Sequence, residues 1–246
     1  KFPSRPGYGV IGRILAKGSG ISDYRVGDRV FFAGKHASVQ RFTHGNRSQW
    51  SHLFPAPEDL DPVTASVACM SEVSMTALTI TELKLGDTVA VFGLGIVGIQ
   101  AALLYQLRGA RVIALDPQKE RCGLARRMGL ECVMDVPPEK QVEAILEHTG
   151  GKGAEVTVDA VGHSAVILSC IRAAALLGQV ILLGSPRPSY TADMAPVFLD
   201  VFRKGLVIRG AHMYRFPVET QRGCDVTVEW AFRVLFDLIR SGKLDV

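Results

Sequence analysis

The chain has 246 residues, a formal net charge of +4 from 28 Lys+Arg against 24 Asp+Glu, and is 48% hydrophobic and 21% charged. That length is enough for a sizeable core, and the composition is ordinary for a globular protein. The basic residues are scattered, with no lysine–arginine block and no basic stripe interleaved with aromatics, which argues against nucleic acid as a partner. No apolar run of about 18 residues and no signal-like start stand out, so no membrane partner is expected. Cys69, Cys122, Cys132, Cys170 and Cys224 are far apart and make no C-x-x-C, as expected of a reduced, cytoplasmic protein.

Residues 1 to about 55 are glycine-rich, with short β-like runs at Tyr8–Leu15 and Arg29–Ala33 broken by Gly18, Gly20, Gly27 and Gly34. That texture predicts an antiparallel, barrel-like portion. Pro55-Ala56-Pro57 and Pro62 punctuate a connection, and Val63–Ala68 begins an apolar helical stretch. From Thr88 onward, strand and helix signals alternate with the spacing of βαβ units. Strands are expected at Thr88–Phe92 and Arg111–Leu115 around a helix over Ile99–Leu107. A helix at Lys119–Met128, a short strand near Cys132–Val133, and a helix opened by Pro137 and Pro138 and running to about His148 come next. Later strands read at Glu155–Asp159, Gln179–Leu183 and Leu206–Ala211, with helices at Ala165–Leu176 and Met194–Phe202. The last stretch, Thr227–Arg240, is strongly helical, and Gly242 stops it.

The strand Thr88–Phe92 runs straight into Gly93-Leu94-Gly95-Ile96-Val97-Gly98, a G-x-G-x-x-G turn, and Asp116 follows Gly98 by 18 residues. Each part suits a dinucleotide. Gly93 permits the tight turn, Gly95 lets the backbone approach a pyrophosphate, and Gly98 lets helix and strand pack closely. The helix N-terminus then offers free N–H groups to the phosphates, and Ile96 and Val97 within the turn count among the cofactor contacts. Asp116 is placed to accept hydrogen bonds from an adenosine ribose. The fold class expected is α/β, a doubly wound parallel (Rossmann) sheet preceded by part of a β-rich domain, with residues 1–60 in the latter and 61–246 in the former. Ligands of such sheets lie at the carboxyl ends of the strands. That draws Ala160-Val161-Gly162 and Leu183-Gly184-Ser185 into one crevice with the glycine turn as further cofactor contacts.

These pieces resemble the medium-chain dehydrogenase/reductase superfamily, the zinc-type alcohol dehydrogenases and their zinc-free relatives. The matching stretches are Pro6–Ile14 (family P-G-H-E-x-x-G-x-V), Val26-Gly27-Asp28-Arg29-Val30, Leu85–Val89, Ala154–Gly162 and Gly178–Gly184. The resemblance implies a GroES-like catalytic domain, present here only in part, and a chain shorter at both ends than its relatives. It also implies a homodimer joined through the edge strand Leu206–Ala211. Where zinc-dependent members carry His–Glu this chain has Tyr8 and Gly9, and the four-cysteine lobe has no counterpart between Ala33 and Leu53. No metal is therefore expected. His36, His44 and His52 read as solvated or hydrogen-bonded loop residues, and Cys69 as a buried small hydrophobe.

The resemblance implies hydride transfer at a nicotinamide, with charge on the substrate oxygen stabilised by a donor other than zinc. Tyr8 is the candidate hydroxyl. Ser71 and Glu72, read as lying at the start of the connecting helix, are the other catalytic candidates, Glu72 as a proton shuttle. Asp116 favours NAD(H) over NADP(H), so the reading is an NAD(H)-dependent oxidoreductase of a small alcohol or carbonyl substrate. The alternatives are an NADPH-dependent quinone or enone reductase and a non-catalytic nucleotide-binding protein.

Overall fold

The computed structural model describes residues 7, 9–35, 37–43, 45, 51–219 and 222–246. The chain forms two compact units, Lys1–Glu72 with Tyr214–Val246, and Val73–Met213.

In the first unit β1 (Gly9–Arg13), β2 (Arg29–Ala33) and β3 (His52–Pro55) make an antiparallel sheet with β2 in the middle. Side chains alternate between the two faces of β2. Val30 and Phe32 pack with Tyr24 and Leu53, and the Tyr24 hydroxyl donates to the Leu53 carbonyl at 3.1 Å. Phe31 turns the other way, its ring centroid 4.3 Å from that of Phe232 on α7 (Val228–Arg240). Helix α7 starts where the Thr227 hydroxyl accepts the Trp230 N–H. It buries Val228, Ala231, Phe232, Leu235, Phe236 and Ile239, the i, i+3, i+4 stripe of an amphipathic helix. Because that stripe meets β2, the C-terminal residues keep company with the β-rich portion. Residues 61–72 and 214–246 thus fall with residues 1–60, where the sequence grouped them with the dinucleotide-binding sheet.

Helix α1 (Pro62–Ile80) begins at Asp61, whose Oδ2 accepts the N–H groups of Val63 and Thr64. It is 19 residues long with a mean hydropathy of 1.4 over 18 of them. By length and composition it could cross a membrane, which corrects the expectation that no such run exists. In the fold 61% of that window is buried, as in a core helix.

The second unit is a six-stranded parallel sheet ordered β6-β5-β4-β7-β8-β9, an α/β Rossmann arrangement. The strands are β4 (Thr88–Phe92), β5 (Arg111–Asp116), β6 (Val133–Asp135), β7 (Ala154–Asp159), β8 (Ala174–Leu182) and β9 (Val207–Gly210). All five positions of β4 are buried, as a central parallel strand covered on both faces requires. Between them run α2 (Ile96–Leu107), α3 (Lys119–Arg127), α4 (Gln141–His148), α5 (Ser164–Ala173) and α6 (Ala195–Lys204). Phe92, Ile113, Leu115 and Val180 from the sheet share one core with Ile145 of α4 and Leu168 and Ile171 of α5. The strand order reverses between β4 and β7, the switch point at which such sheets take their ligands.

Four elements differ from expectation. Strand β3 is not among the expected strands: it is a four-residue edge strand at the end of the glycine-rich region, and it ends on Pro55 where the connection begins. Helix α2 starts at Ile96 and so takes in the last residues of the glycine motif. Helix α5 stops at Ala173, and β8 starts five residues early through a register shift opposite Ala154–Val156. That bulge exposes Leu176 and Leu177, the latter with φ of 59°. A bulky residue in the left-handed region is a true outlier, and hydrophobic periodicity alone does not announce it.

Candidate functional site

Four loops meet at the carboxyl ends of β4, β5, β7 and β8, and backbone hydrogen bonds join them. Gly93 N–H donates to the Leu115 carbonyl at 2.8 Å and Ala160 N–H to that of Phe92 at 2.9 Å. Leu183 and Gly184 N–H both donate to the Asp159 carbonyl, at 3.0 and 2.7 Å. The structure therefore brings together Gly93–Gly98, Asp116, Ala160–Gly162 and Leu183–Ser185.

The three motif glycines have separable jobs. Gly93 has φ of +94°, and a Cβ there would lie 2.6 Å from Val161 Cγ2. A Cβ on Gly98 would sit 1.9 Å from the Gly93 carbonyl oxygen, far inside contact distance. At Gly95 a Cβ would meet nothing within 4 Å, so that glycine leaves open space above the N-terminus of α2. No side chain caps that end. Its first N–H groups are available to an anion. Ile96 and Val161 flank the opening, each more than half exposed. Val97 is held from behind, its carbonyl accepting the hydroxyl of Ser74 on α1 at 2.8 Å.

Asp116 ends β5 and is 1% exposed. Its Oδ2 accepts the Leu94 N–H and its Oδ1 the Gln118 N–H, both at 2.8 Å, and Arg121 Nη1 lies 3.4 Å from Oδ2. The carboxylate thus braces the glycine turn, a role the sequence reading did not assign it. Oδ1, which accepts one N–H, keeps a second lone pair for a further donor.

Among the catalytic candidates, Tyr8 lies outside the described residues, as do His36 and His44. Ser71 and Glu72 are in the middle of α1, not at its start, because the helix begins nine residues before Ser71. Both are buried, at 0% and 3% exposure. The Ser71 hydroxyl donates back to the Val67 carbonyl over 3.4 Å. Burial pushes the Glu72 carboxyl up to about 8, so it keeps its proton at neutral pH. His52 is on β3 and buried, packed by ring contacts with Phe31, Phe54 and Phe232, which corrects its reading as a loop residue. Asp159, which the sequence reading passed over, is a wholly buried acid at the end of β7, and a lone acid closing a buried strand ahead of Ala-Val-Gly was the signal for it.

A family model described as zinc-binding dehydrogenase matches residues 93–227. An L-threonine 3-dehydrogenase of Bacillus velezensis is 31% identical over 166 residues, 67% of this chain and 46% of that protein. The chain thus matches about half the length of that relative. Among solved structures, a Pseudomonas syringae quinone oxidoreductase is similar with a TM-score of 0.76 at 21% identity, over 100% of this chain and 73% of that one. A Sinorhizobium meliloti zinc-binding dehydrogenase bound to NADP gives 0.74 at 21%, over 96% and 72%. These likenesses show the fold.

Zinc favours imidazole, thiolate and carboxylate in sets of three or four. A Cβ on Gly9 would lie 3.4 Å from Cys69 Sγ, so the cysteine faces a residue without a donor. Burial and Glu72 push the Cys69 thiol up to about 12. Among the described residues no three His, Cys, Asp or Glu side chains are grouped to hold a metal. A nicotinamide dinucleotide does fit: the open face of Gly95 and the uncapped end of α2 suit a pyrophosphate. The chain belongs to the zinc-binding dehydrogenase family, within the medium-chain dehydrogenase/reductase superfamily.

Proposed function

We propose that this chain binds NAD(H) and serves hydride transfer to or from a small alcohol or carbonyl compound, without catalytic zinc. The observation that carries this reading is the glycine cradle: two glycines at which a Cβ would clash, flanking one that opens onto a free helix end. Bound there, the nicotinamide supplies or accepts the hydride. Gly95 and the α2 N-terminus hold the pyrophosphate, Asp116 takes the adenosine ribose, and Ala160–Gly162 and Leu183–Ser185 face the rest of the nucleotide. Tyr8 is the hydroxyl donor of this reading, and Glu72 carries an exchangeable proton.

Asp116 supports NAD(H), because an acceptor-only carboxylate repels a 2′-phosphate. One observation favours a second reading, an NADPH-dependent reductase. Arg121 is half exposed and 3.4 Å from Asp116, so it can turn to a phosphate. The NADP-bound relative is in keeping with that. Titrating the protein with NADH and NADPH by nicotinamide fluorescence separates the two. Tighter binding of NADH by about tenfold, roughly 1.4 kcal/mol, is expected. Equal or tighter binding of NADPH rejects the first reading, and quinones and enones become the substrates to test.

The reading extends to a homodimer and to a reducing, cytoplasmic setting. All five cysteines are free thiols. Strand β9 is the sheet's edge, Val207 and Ile208 are 44% and 42% exposed, and Phe198 and Phe202 on α6 are 64% and 82% exposed. An uncovered apolar edge is an association hazard unless a partner strand completes it. Light scattering at micromolar concentration is expected to give a dimer mass, and Ile208→Lys to give monomer. A wild-type monomer removes the proposal.

A further inference from the structure

Asp159 closes β7 between Phe92 of β4 and Leu182 of β8, and it is wholly buried. Its side chain and main chain serve different loops. Oδ1 accepts the N–H groups of Val161 and Gly162, at 2.9 and 3.0 Å. Its carbonyl accepts those of Leu183 and Gly184. One residue therefore takes four donors from two loops, and those loops touch backbone to backbone. A Cβ on Gly184 would lie 2.2 Å from Gly162 N, and one on Gly162 would lie 2.5 Å from the Ser185 carbonyl oxygen. Val161 in turn abuts Gly93, so the block reaches the glycine turn.

We propose that Asp159 is the positioning residue that fixes Ala160–Gly162 and Leu183–Ser185 in the one arrangement that admits a nicotinamide nucleotide. The inference rests on the cofactor reading above. Packing this tight has no slack, so a displaced Val161 must move against Gly93 or into the opening beside it.

The second carboxyl oxygen takes no part in these ties. Oδ2 is buried and has no hydrogen-bond partner among the described residues. An unpaired buried charge is far more costly than an unpaired neutral group. Burial raises the carboxyl above its ordinary value, against the opposing pull of the Gly162 and Val161 N–H groups and His163. The ties to Val161 and Gly162 need Oδ1 only as an acceptor. Asparagine reproduces the carboxyl's shape and its acceptor.

The test is direct binding of NADH and NADPH to the full chain carrying Asp159→Asn, Asp159→Ala or, as a control, Val158→Ala. Val158 is buried on the same strand and makes none of these ties. D159A is expected to lose at least about tenfold in affinity for both nucleotides, while D159N and V158A stay within about threefold of wild type. V158A should do so although its melting temperature falls. If D159A does not fold, D159S takes its place, since its shorter side chain cannot reach both N–H groups. Wild-type affinity in D159A (or D159S) overturns the proposal, as does a D159N that falls as far. If wild type binds neither nucleotide, the cofactor reading itself fails and this inference goes with it.

Discussion

Gly98→Ala is expected to unfold the nucleotide-binding end of the sheet and abolish cofactor binding, whereas Gly95→Ala is expected to abolish binding alone. The added methyl at residue 98 would lie 1.9 Å from the Gly93 carbonyl oxygen, 2.9 Å from its carbon and 3.2 Å from Ala160 Cβ. Two of those three atoms are backbone at the end of β4, so no side chain can swing aside. Relief requires the first turn of α2 to lift off the strand. Ordinary overpacking costs about 1–3 kcal/mol, and a clash with backbone belongs at or above the top of that range. At residue 95 the same methyl meets nothing within 4 Å, and the backbone is already extended with φ of −72°. There the substitution costs only the difference between two N-cap residues, about 1 kcal/mol or less. Urea unfolding with a parallel NADH titration separates the two effects. A Gly95→Ala protein that binds the nucleotide like wild type would falsify the pyrophosphate site.

That contrast also marks how far the sequence could be read. The spacing Gly93, Gly95, Gly98 named the turn, and in the fold a Cβ would clash at the first and last of the three and meet nothing at the middle one. The strands of the parallel sheet were legible because a strand buried on both faces is a near-continuous apolar run between glycines, as Thr88–Phe92 is. What escaped was structure set by tertiary contact. The bulge at Ala174–Gly178 continues an apolar pattern that helix and strand share, so α5 looked longer and β8 shorter than they are. Grouping α7 with the β-rich unit depends on Phe232 meeting Phe31, residues 201 positions apart. Asp116 could be named from its distance to Gly98, yet its bond to the Leu94 N–H could not. Asp159 escaped, as did the burial of the candidate Glu72, for one reason: a buried acid is recognised by what surrounds it, and charge in a sequence reads as surface.

Glu72→Gln is expected to leave stability unchanged near pH 4 and to raise it by several kcal/mol at pH 9. The sign follows from proton counting. The ordinary carboxyl value is 4.5 and burial lifts Glu72 to about 8 in the fold, so across that window the native chain holds a proton that the unfolded chain has released. Stability must then fall as pH rises from about 4.5 to about 8 and level off above. Each unit of difference is worth about 1.4 kcal/mol, which sets a ceiling of about 5 kcal/mol on the loss. Glutamine matches the protonated acid in size and keeps a donor and an acceptor, but it does not titrate. Chemical unfolding of both proteins at several pH values should show the curves together at the acid end and diverging through neutrality. Parallel curves would mean that Glu72 is ionised in the fold. Such a result would also remove it as a proton shuttle, because an acid already deprotonated at neutral pH has no proton to give to a substrate oxygen. Divergence would leave at the centre of α1 an acid whose proton becomes exchangeable near physiological pH, the condition general acid catalysis requires.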